Sequence, residues 1–166
     1  MRDSFQSSNS AAAHGAVAVA CVLAQIDDDP ARPRIEARDS NGASPLIAAA
    51  TSGQLGMVQW LLGSSCDIDA ADAQGQTALI AAASRGHKSV VSCLLQSSCN
   101  VLARNVSLQS ALHVAAAACD ASILPLILPH CQAIINAPDK NCQTPLLLSL
   151  QAKVFRQTPH AFSCIS

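Results

Sequence analysis

The two residues of this sequence most suited to chemistry are His113 and Cys119. A cysteine thiolate is a strong nucleophile, and an imidazole close to it could accept the thiol proton, so the pair could begin covalent catalysis. Such a site also needs an acid that orients the histidine and donors that stabilise an oxyanion. The sequence places neither group beside the pair, so we expect no catalytic residues. The enzyme alternative requires a thiol that reacts strongly at neutral pH.

The eight cysteines are the remaining candidates for chemistry. None of them forms a CxxC pair, and no cysteines and histidines have the spacing of a zinc site. Cys66 and Cys99 lie at equivalent positions of the repeat described below, which favours a role as small buried side chains. We therefore expect no metal and no cofactor, and thiols kept reduced in the cytoplasm or the nucleus.

Composition and motifs argue against several other classes of function. The chain has 166 residues, of which 50% are hydrophobic, only 2% aromatic and 13% charged. Its net charge of -1, without a cluster of lysines or arginines, disfavours binding to nucleic acid or to an anionic membrane. The sequence also lacks a glycine-rich phosphate loop, paired carboxylates on a helical face and a nucleophile elbow, so we expect no enzyme.

A repeat organises most of the sequence. Residues 39–71 and 72–104 superimpose without a gap at a period of 33 residues. A fixed period of this length is typical of architectures whose units bury their apolar surface only by stacking on one another. The matching pairs are Gly42 and Gly75, Leu46 and Leu79, Gly53 and Gly86, Val58 and Val91, Leu61 and Leu94, Leu62 and Leu95, and Cys66 and Cys99.

Each unit has the pattern of a helical hairpin followed by a turn. Ser44 and Thr77 can each cap a first helix, and Pro45 suits the first helical position because its missing N–H would have no partner there. Alanines then favour a helix that neighbours can approach closely. Gly53 and Gly86 suit a left-handed position that ends this helix. A second helix follows, with an apolar face formed by Met57, Val58, Leu61 and Leu62 in one unit and by Val90, Val91, Leu94 and Leu95 in the next.

The two units resemble the ankyrin repeat. The matching residues are Asp39, Gly42, Ser44, Pro45, Leu46, Ala49, Ala50 and Gly53, then Asp72, Gly75, Thr77, Leu79, Ala82, Ala83 and Gly86. The resemblance implies an all-α ankyrin-repeat solenoid of stacked helix-turn-helix units with connecting β-hairpin-like turns. Where this family usually has glycine after the second helix, the chain has Ser65 and Ser98, and a left-handed serine costs on the order of 1 kcal/mol. Trp60 occupies a position usually taken by leucine, so we expect it in the core.

The repeat register divides the chain into segments of different regularity. The predicted segments are a disordered N-terminus at 1–10, a degenerate capping repeat with a Pro/Asp-rich loop at 11–38, repeats at 39–71 and 72–104, a divergent repeat at 105–138, a partial repeat at 139–152 and an irregular tail at 153–166. The Ala/Val-rich stretch within 11–38 has an alternative interpretation as a weak signal sequence. Its apolar run, residues 16–24, is about half the length that spans a bilayer.

The third and fourth units depart from the pattern. In the third, Leu108 and Cys119 replace the two glycines, and Pro125 and Pro129 fall where the second helix belongs, which predicts a short or kinked helix. The resemblance assigns His113 a structural role, bonding the backbone across units. After Leu150 the fourth unit lacks the expected second helix. This indicates either a divergent cap or a chain truncated relative to a longer protein, and we favour truncation.

The resemblance also implies a function, which is binding of another protein through the hairpin tips and the concave face of the first helices. We therefore predict a monomeric, non-enzymatic adaptor or scaffold module of modest affinity, since its surface has Arg85 as its sole strong anchor. The alternative is a truncated fragment with no binding function of its own. The predicted surface comprises Ser40, Asn41, Ala43, Thr51, Ser52, Ala73, Gln74, Gln76, Ser84, Arg85, Val106, Ser107, Gln109, Ala117, Lys140, Asn141 and Gln143.

Overall fold

The structure, a computed structural model, describes residues 38–118 and 122–157, with the side chains of 153–157 left out. The predictions for residues 1–37, for Cys119 and for residues 158–166 lie outside this part of the chain. Within the described part the secondary structure is helical, which confirms the all-α fold. The α-helices are α1 (Pro45–Thr51), α2 (Leu55–Gly63), α3 (Ala78–Ser84), α4 (Lys88–Gln96), α5 (Ala111–Ala117), α6 (Leu124–Ile127) and α7 (Pro145–Gln157), with 3-10 turns at Leu128–His130 and Gln132–Ile134.

The predicted caps begin the first helix of each regular unit. The hydroxyl of Ser44 accepts the N–H of Ile47 at 3.4 Å, and that of Thr77 accepts the N–H of Ile80 at 3.5 Å. Pro45 takes the first position of α1, where its missing N–H costs nothing. These contacts confirm that the repeat register sets where the first helices start.

The helices form two layers that follow the chain order. In the first layer, α1 packs on α3, α3 on α5 and α5 on α7, and in the second layer α2 packs on α4 and α4 on α6. Alanines bring the first layer close together, since a helix with small side chains can approach its neighbour closely. Leu61 and Leu94 of the second layer are fully buried against it. The fully buried alanines are Ala49, Ala50, Ala78, Ala82, Ala83, Ala111 and Ala115.

The prediction that Trp60 is a core residue is wrong, because 47% of its surface is exposed. On α2 the buried face is set by Val58 and Leu61, neither of which is exposed. Successive residues of an α-helix are turned by about 100°, so Trp60 lies about 200° from Val58 and points away from the first layer. The usual leucine position of the family is therefore an outward-facing position in this unit.

Left-handed backbone follows each second helix of the regular units. Ser65 has φ 60° and Ser98 has φ 59°, and both side chains are exposed. Leu108 has φ 58° where the first two units have glycine. An L-residue with a bulky side chain adopts this region only at a cost, so these positions hold backbone strain.

The second helix of the third unit is short, which confirms the effect expected of its prolines. Pro125 lies in the first turn of α6, where a missing N–H is tolerated, and the helix ends at Ile127. The chain continues through the 3-10 turn Leu128–His130, which includes Pro129. Ile123 and Ile127 remain fully buried, so this shortened segment still covers its part of the core.

Helix α7 extends beyond the predicted end of the partial repeat at 152. It has 13 residues, against seven in α1, α3 and α5. Residues 153–157, predicted to be irregular, continue the helix, which corrects that boundary. The physical reason is that no glycine or proline interrupts the sequence between Pro145 and Pro159.

Candidate protein-interaction surface

Each hairpin turn is held by one polar side chain at its first position. The Oδ1 atom of Asp39, Asp72, Asn105 or Asp139 accepts two backbone N–H groups, two and four residues further on, at 2.8 to 2.9 Å. The N–H of the first residue donates back to the carbonyl four residues on, as from Asp72 to Gln76 at 3.1 Å. One side chain thus fixes the shape of each tip, with aspartate or asparagine equally suited.

Backbone hydrogen bonds join neighbouring tips into one row. In each case the N–H of the second residue of a turn donates to the carbonyl of the third residue of the preceding turn. The fourth unit docks in the same manner although its spacing is 34 residues, so the row includes four tips. The bonds run from Ala73 to Asn41 at 2.9 Å, from Val106 to Gln74 at 2.9 Å and from Lys140 to Ser107 at 3.0 Å.

The glycines of the first two tips allow this close approach. A Cβ atom on Gly75 would lie 3.1 Å from both the Asn105 Cα and the Val106 nitrogen, which is tighter than a normal contact. A Cβ atom on Gly42 would lie 3.2 Å from the Ala73 nitrogen. Both glycines also have positive φ, so the row of tips depends on them for space and for backbone conformation.

Side chains add further links between units. The Arg38 guanidinium donates to the Ala71 carbonyl at 2.6 Å, and that of Arg104 donates to the Pro138 carbonyl at 3.4 Å. Gln109 Nε2 donates to Asp139 Oδ2 at 3.2 Å. The pKa of Asp139 lies below its usual value, chiefly because the Gln143 N–H donates to its carboxylate. The row is therefore pre-ordered, which lowers the entropy that a partner must overcome on binding.

The structure places the predicted contact residues in two rows. The residues of the hairpin tips lie before the first helices, whereas Thr51, Ser52, Ser84 and Arg85 lie where α1 and α3 end. A seven-residue helix is about 10 Å long. The row of hairpin tips and the row of helix ends therefore lie about 10 Å apart, on the two borders of the face formed by the first helices. The exposed members are Ser40, Asn41, Ser52, Ala73, Gln74, Ser84, Arg85, Val106, Ala117, Lys140 and Asn141, and the partly exposed ones are Ala43, Thr51, Gln76, Ser107, Gln109 and Gln143.

The third tip carries an apolar pair whose importance the sequence did not reveal. Val106 is 49% exposed and Leu108 is 44% exposed, on either side of Ser107. Val106 is part of the predicted surface, whereas Leu108 is not. The available signal was two large aliphatic side chains in a turn where the first two units have serine or alanine and then glycine.

The histidine and the buried thiols have structural environments. His113 is fully buried, and its Nε2 lies 2.9 Å from the Ala137 carbonyl, which confirms its expected role across units. Burial raises the pKa of the Cys99 and Cys131 thiols to about 11, with the charge of Asp69 contributing at Cys99. Among the described residues, no group of three or more His, Cys, Asp or Glu could hold a metal ion.

Two layers of stacked helices, joined by hydrogen-bonded turns at a 33-residue period, define a helical repeat solenoid. The family model described as ankyrin repeats (3 copies) matches residues 9–105 and 46–141, so the chain belongs to the ankyrin-repeat family. Ankyrin repeats are generally protein–protein interaction modules. A comparison with curated proteins gave no match. In the described part of the chain, no helix combines the length and the apolar character needed to cross a membrane.

Proposed function

We propose that this chain is a non-enzymatic adaptor or scaffold module that binds another protein through its hairpin tips and the adjoining face of the first helices. The observation that carries the proposal is the row of tips, in which side-chain caps and tip-to-tip bonds hold exposed residues in fixed positions. A rigid scaffold that presents variable loop residues is a common basis for recognition. We place it in a reducing compartment, the cytoplasm or the nucleus, because Cys99 and Cys131 are buried as small side chains of the core.

The third tip offers this surface an apolar contact. Val106 and Leu108 offer exposed apolar area, and neighbouring Gln109 is held by Asp139, so the pair sits on an ordered support. Leu108 also has a left-handed backbone while its side chain is 44% exposed, and backbone strain of this kind occurs at binding sites. The partner should accordingly present an aliphatic or aromatic side chain to this tip, with polar groups facing Gln74 and Gln76.

The alternative is a truncated fragment that does not bind. A folded array of this size should unfold cooperatively at about 45 °C or above, whereas an imperfect array would give a broad transition or none. Circular dichroism during heating distinguishes them. The buried leucines and alanines of the described units support the cooperative outcome.

Peptides selected from a random phage-displayed library against the 166-residue chain test the proposed surface directly. Two variants each remove part of this surface. The first is the triple variant Gln74→Ala, Gln76→Ala and Arg85→Ala. The second is the double variant Val106→Ser and Leu108→Gly. We expect each to weaken binding by about tenfold or more, since a few anchor residues carry most of the affinity. The matched control is Gln59→Ala with Gln96→Ala on the exposed faces of α2 and α4. Equal weakening by the control, or none by the tip variants, would overturn the proposal.

A further inference from the structure

The third tip carries a serine whose sequence surroundings occur nowhere else in the chain. Ser107 has Arg104 three residues before it, and no other serine or threonine of the sequence has an arginine or lysine at that spacing. Leu102 lies five residues before Ser107, and Leu108 follows it directly. A basic side chain at one fixed spacing and aliphatic side chains at two others form the kind of pattern by which protein kinases select a serine.

The structure presents these side chains to solvent. Leu102 is 46% exposed and Leu108 is 44% exposed, so neither is used to fill the core. Arg104 is partly exposed, and the bond that its guanidinium donates to the Pro138 carbonyl is long, at 3.4 Å. A hydrogen bond of that length is weak, so the guanidinium is free to turn to the carboxylate of another protein.

The hydroxyl of Ser107 is also available. The hydroxyls of Ser84 and Ser97 donate to backbone carbonyls of their own helices, at 2.8 and 3.0 Å. Ser107 takes part in its turn through the backbone instead, since its N–H donates to Asn105 Oδ1 and its carbonyl accepts the Lys140 N–H. In the part of the chain that the structure describes, no group forms a hydrogen bond with the Ser107 hydroxyl.

We propose that Ser107 is a phosphorylation site for an arginine-directed serine/threonine kinase, and that phosphate at this tip weakens its apolar contact with a partner. The kinase groove would bind Arg104 through a carboxylate and would take Leu102 and Leu108 in apolar subsites. In the transfer, Ser107 Oγ attacks the γ-phosphorus of ATP, the bond from that phosphorus to the β,γ-bridging oxygen breaks, and ADP leaves. The hydroxyl proton passes to the catalytic aspartate of the kinase.

The turn must open for this segment to lie extended in a kinase groove. Opening breaks the bonds to the neighbouring tips, from Val106 to Gln74 and from Lys140 to Ser107. It also releases the left-handed backbone of Leu108, a strain that the first two tips avoid by having glycine there. The second helix of this unit is short as well, with four residues against nine in α2 and α4. Both features lower the cost of local opening at the third tip.

A phosphate would change the chemistry of this tip. Phosphoserine carries a charge of about -1.5 to -2 at neutral pH. The group would stand between Val106 and Leu108, the exposed apolar pair. An aliphatic or aromatic side chain of a partner would then have to strip water from the phosphate in order to reach the pair, which is costly. This effect on binding rests on the proposed function, whereas the modification itself does not.

Incubation of the 166-residue chain with a purified calmodulin-dependent protein kinase, Mg²⁺ and ATP tests the site, with peptide mass spectrometry as the readout. We expect phosphate at Ser107 before any at Ser40, an exposed tip serine that lacks arginine at the same spacing. Arg104→Gln should slow the modification by about tenfold or more, because the kinase loses a charge-assisted bond. Leu102→Ser should slow it several-fold, with an unchanged circular dichroism spectrum because the side chain is exposed.

Arg38→Gln is the matched control. Arg38 has the repeat position of Arg104 and likewise donates to a backbone carbonyl one unit further on, that of Ala71. The third residue after it is Asn41, which offers no hydroxyl. The variant should therefore leave the rate at Ser107 as in the parent. Equal slowing by both arginine variants would show that a lost contact between units, and not recognition by the kinase, is the cause.

Two further results would overturn the site, namely no phosphate at Ser107 in the parent, or the same rate in Arg104→Gln as in the parent. The phage-selected peptides test the effect on binding, and we expect the phosphorylated chain to bind them about tenfold more weakly or less. Unchanged affinity at full phosphorylation would overturn this regulation and leave the proposed function intact. Failure to select any peptide would count against the proposed function, and the mass spectrum would still decide the modification of Ser107.

Discussion

His113 binds the Ala137 carbonyl through its Nε2 atom at 2.9 Å, across a separation of 24 residues. Its Nδ1 lies 3.2 Å from the Ser110 nitrogen and 2.8 Å from the Ser110 hydroxyl. Because a backbone N–H can only donate, Nδ1 must accept, and the proton of the neutral ring is on Nε2. One buried imidazole thereby caps α5 and fixes the loop that leads to the fourth unit.

We predict that this histidine makes stability dependent on pH. Its pKa lies below the ordinary value of 6.5, chiefly because burial disfavours the charged ring. Below pH 6.5 the unfolded chain binds a proton that the folded chain does not, so stability is full above this value and is lost as pH falls through it. For one proton, the free energy of unfolding changes by at most about 1.4 kcal/mol per pH unit. Urea unfolding at pH 7.5, 6.5 and 5.5 measures it.

The variant His113→Ile tests the assignment, since isoleucine is the equivalent residue in the first two units. It leaves the Ala137 carbonyl without its donor, so we expect a loss of about 1 to 2 kcal/mol at pH 7.5. The difference from the parent should shrink at pH 5.5. His130→Gln is the control, because His130 is exposed, and it should leave the pH profile of the parent intact. A parent profile that His113→Ile does not flatten would refute the argument.

The left-handed serines give a prediction of increased stability. Ser65 and Ser98 have φ near 60°, which glycine adopts without strain, although glycine adds entropy to the unfolded chain. We expect Ser65→Gly and Ser98→Gly each to raise the free energy of unfolding by about 0.5 to 1 kcal/mol. At this chain length that raises the unfolding temperature by about 1 to 3 °C per substitution.

The neighbouring Ser97 supplies the control for this pair. Its φ is -89° and its hydroxyl donates to the Cys93 carbonyl at 3.0 Å. Ser97→Gly removes that bond and adds no conformational relief, so it should lower the unfolding temperature. Equal responses at Ser97 and Ser98 would show that left-handed strain is not the cause.

The repeat period predicted the parts of the fold that depend on local chemistry. Helix starts at Ser44 and Thr77, and left-handed positions at Gly53 and Gly86, follow from caps and turns within a few residues. Trp60 was predicted wrongly because family position alone does not define which side of α2 faces the core. That orientation is decided by how Val58 and Leu61 pack on the first layer, and Trp60 is turned away from both.

The sequence also could not predict which apolar side chains of the candidate site are exposed to solvent. The tips could be located from Gly42 and Gly75, but the apolar pair of the third tip matters only because no neighbouring unit covers it. The same holds for Leu146, which has the sequence pattern of a core leucine. Whether such a side chain is buried depends on tertiary neighbours, which a pattern within one unit does not specify.

The turn-capping aspartates give a third prediction. Asp72 Oδ1 accepts the N–H groups of Gln74 and Gln76 at 2.8 Å each. Asp72→Ala leaves both without this acceptor, so we expect a loss of about 1 to 2 kcal/mol and faster hydrogen exchange at these two amides. Asp72→Asn should retain both bonds, since Asn105 holds the equivalent turn in the same manner. Slow exchange in the alanine variant would mean that the tip-to-tip bonds suffice without the cap.

The buried thiols give the last prediction. A pKa of about 11 leaves Cys99 and Cys131 with roughly a hundredfold less thiolate at neutral pH than the ordinary value of 9.0. Alkylation by iodoacetamide at pH 7.5, followed by peptide mass spectrometry, should therefore modify exposed Cys142 before Cys99 and Cys131. Cys99 and Cys131 should react at a comparable rate only in urea, and rapid modification of either in the folded chain would contradict their burial. The same experiment reports on Cys119, because an enzyme that used it with His113 requires this thiol to react faster than Cys142. A rate for Cys119 at or below that of Cys142 leaves the chain with a surface for binding and no activated nucleophile.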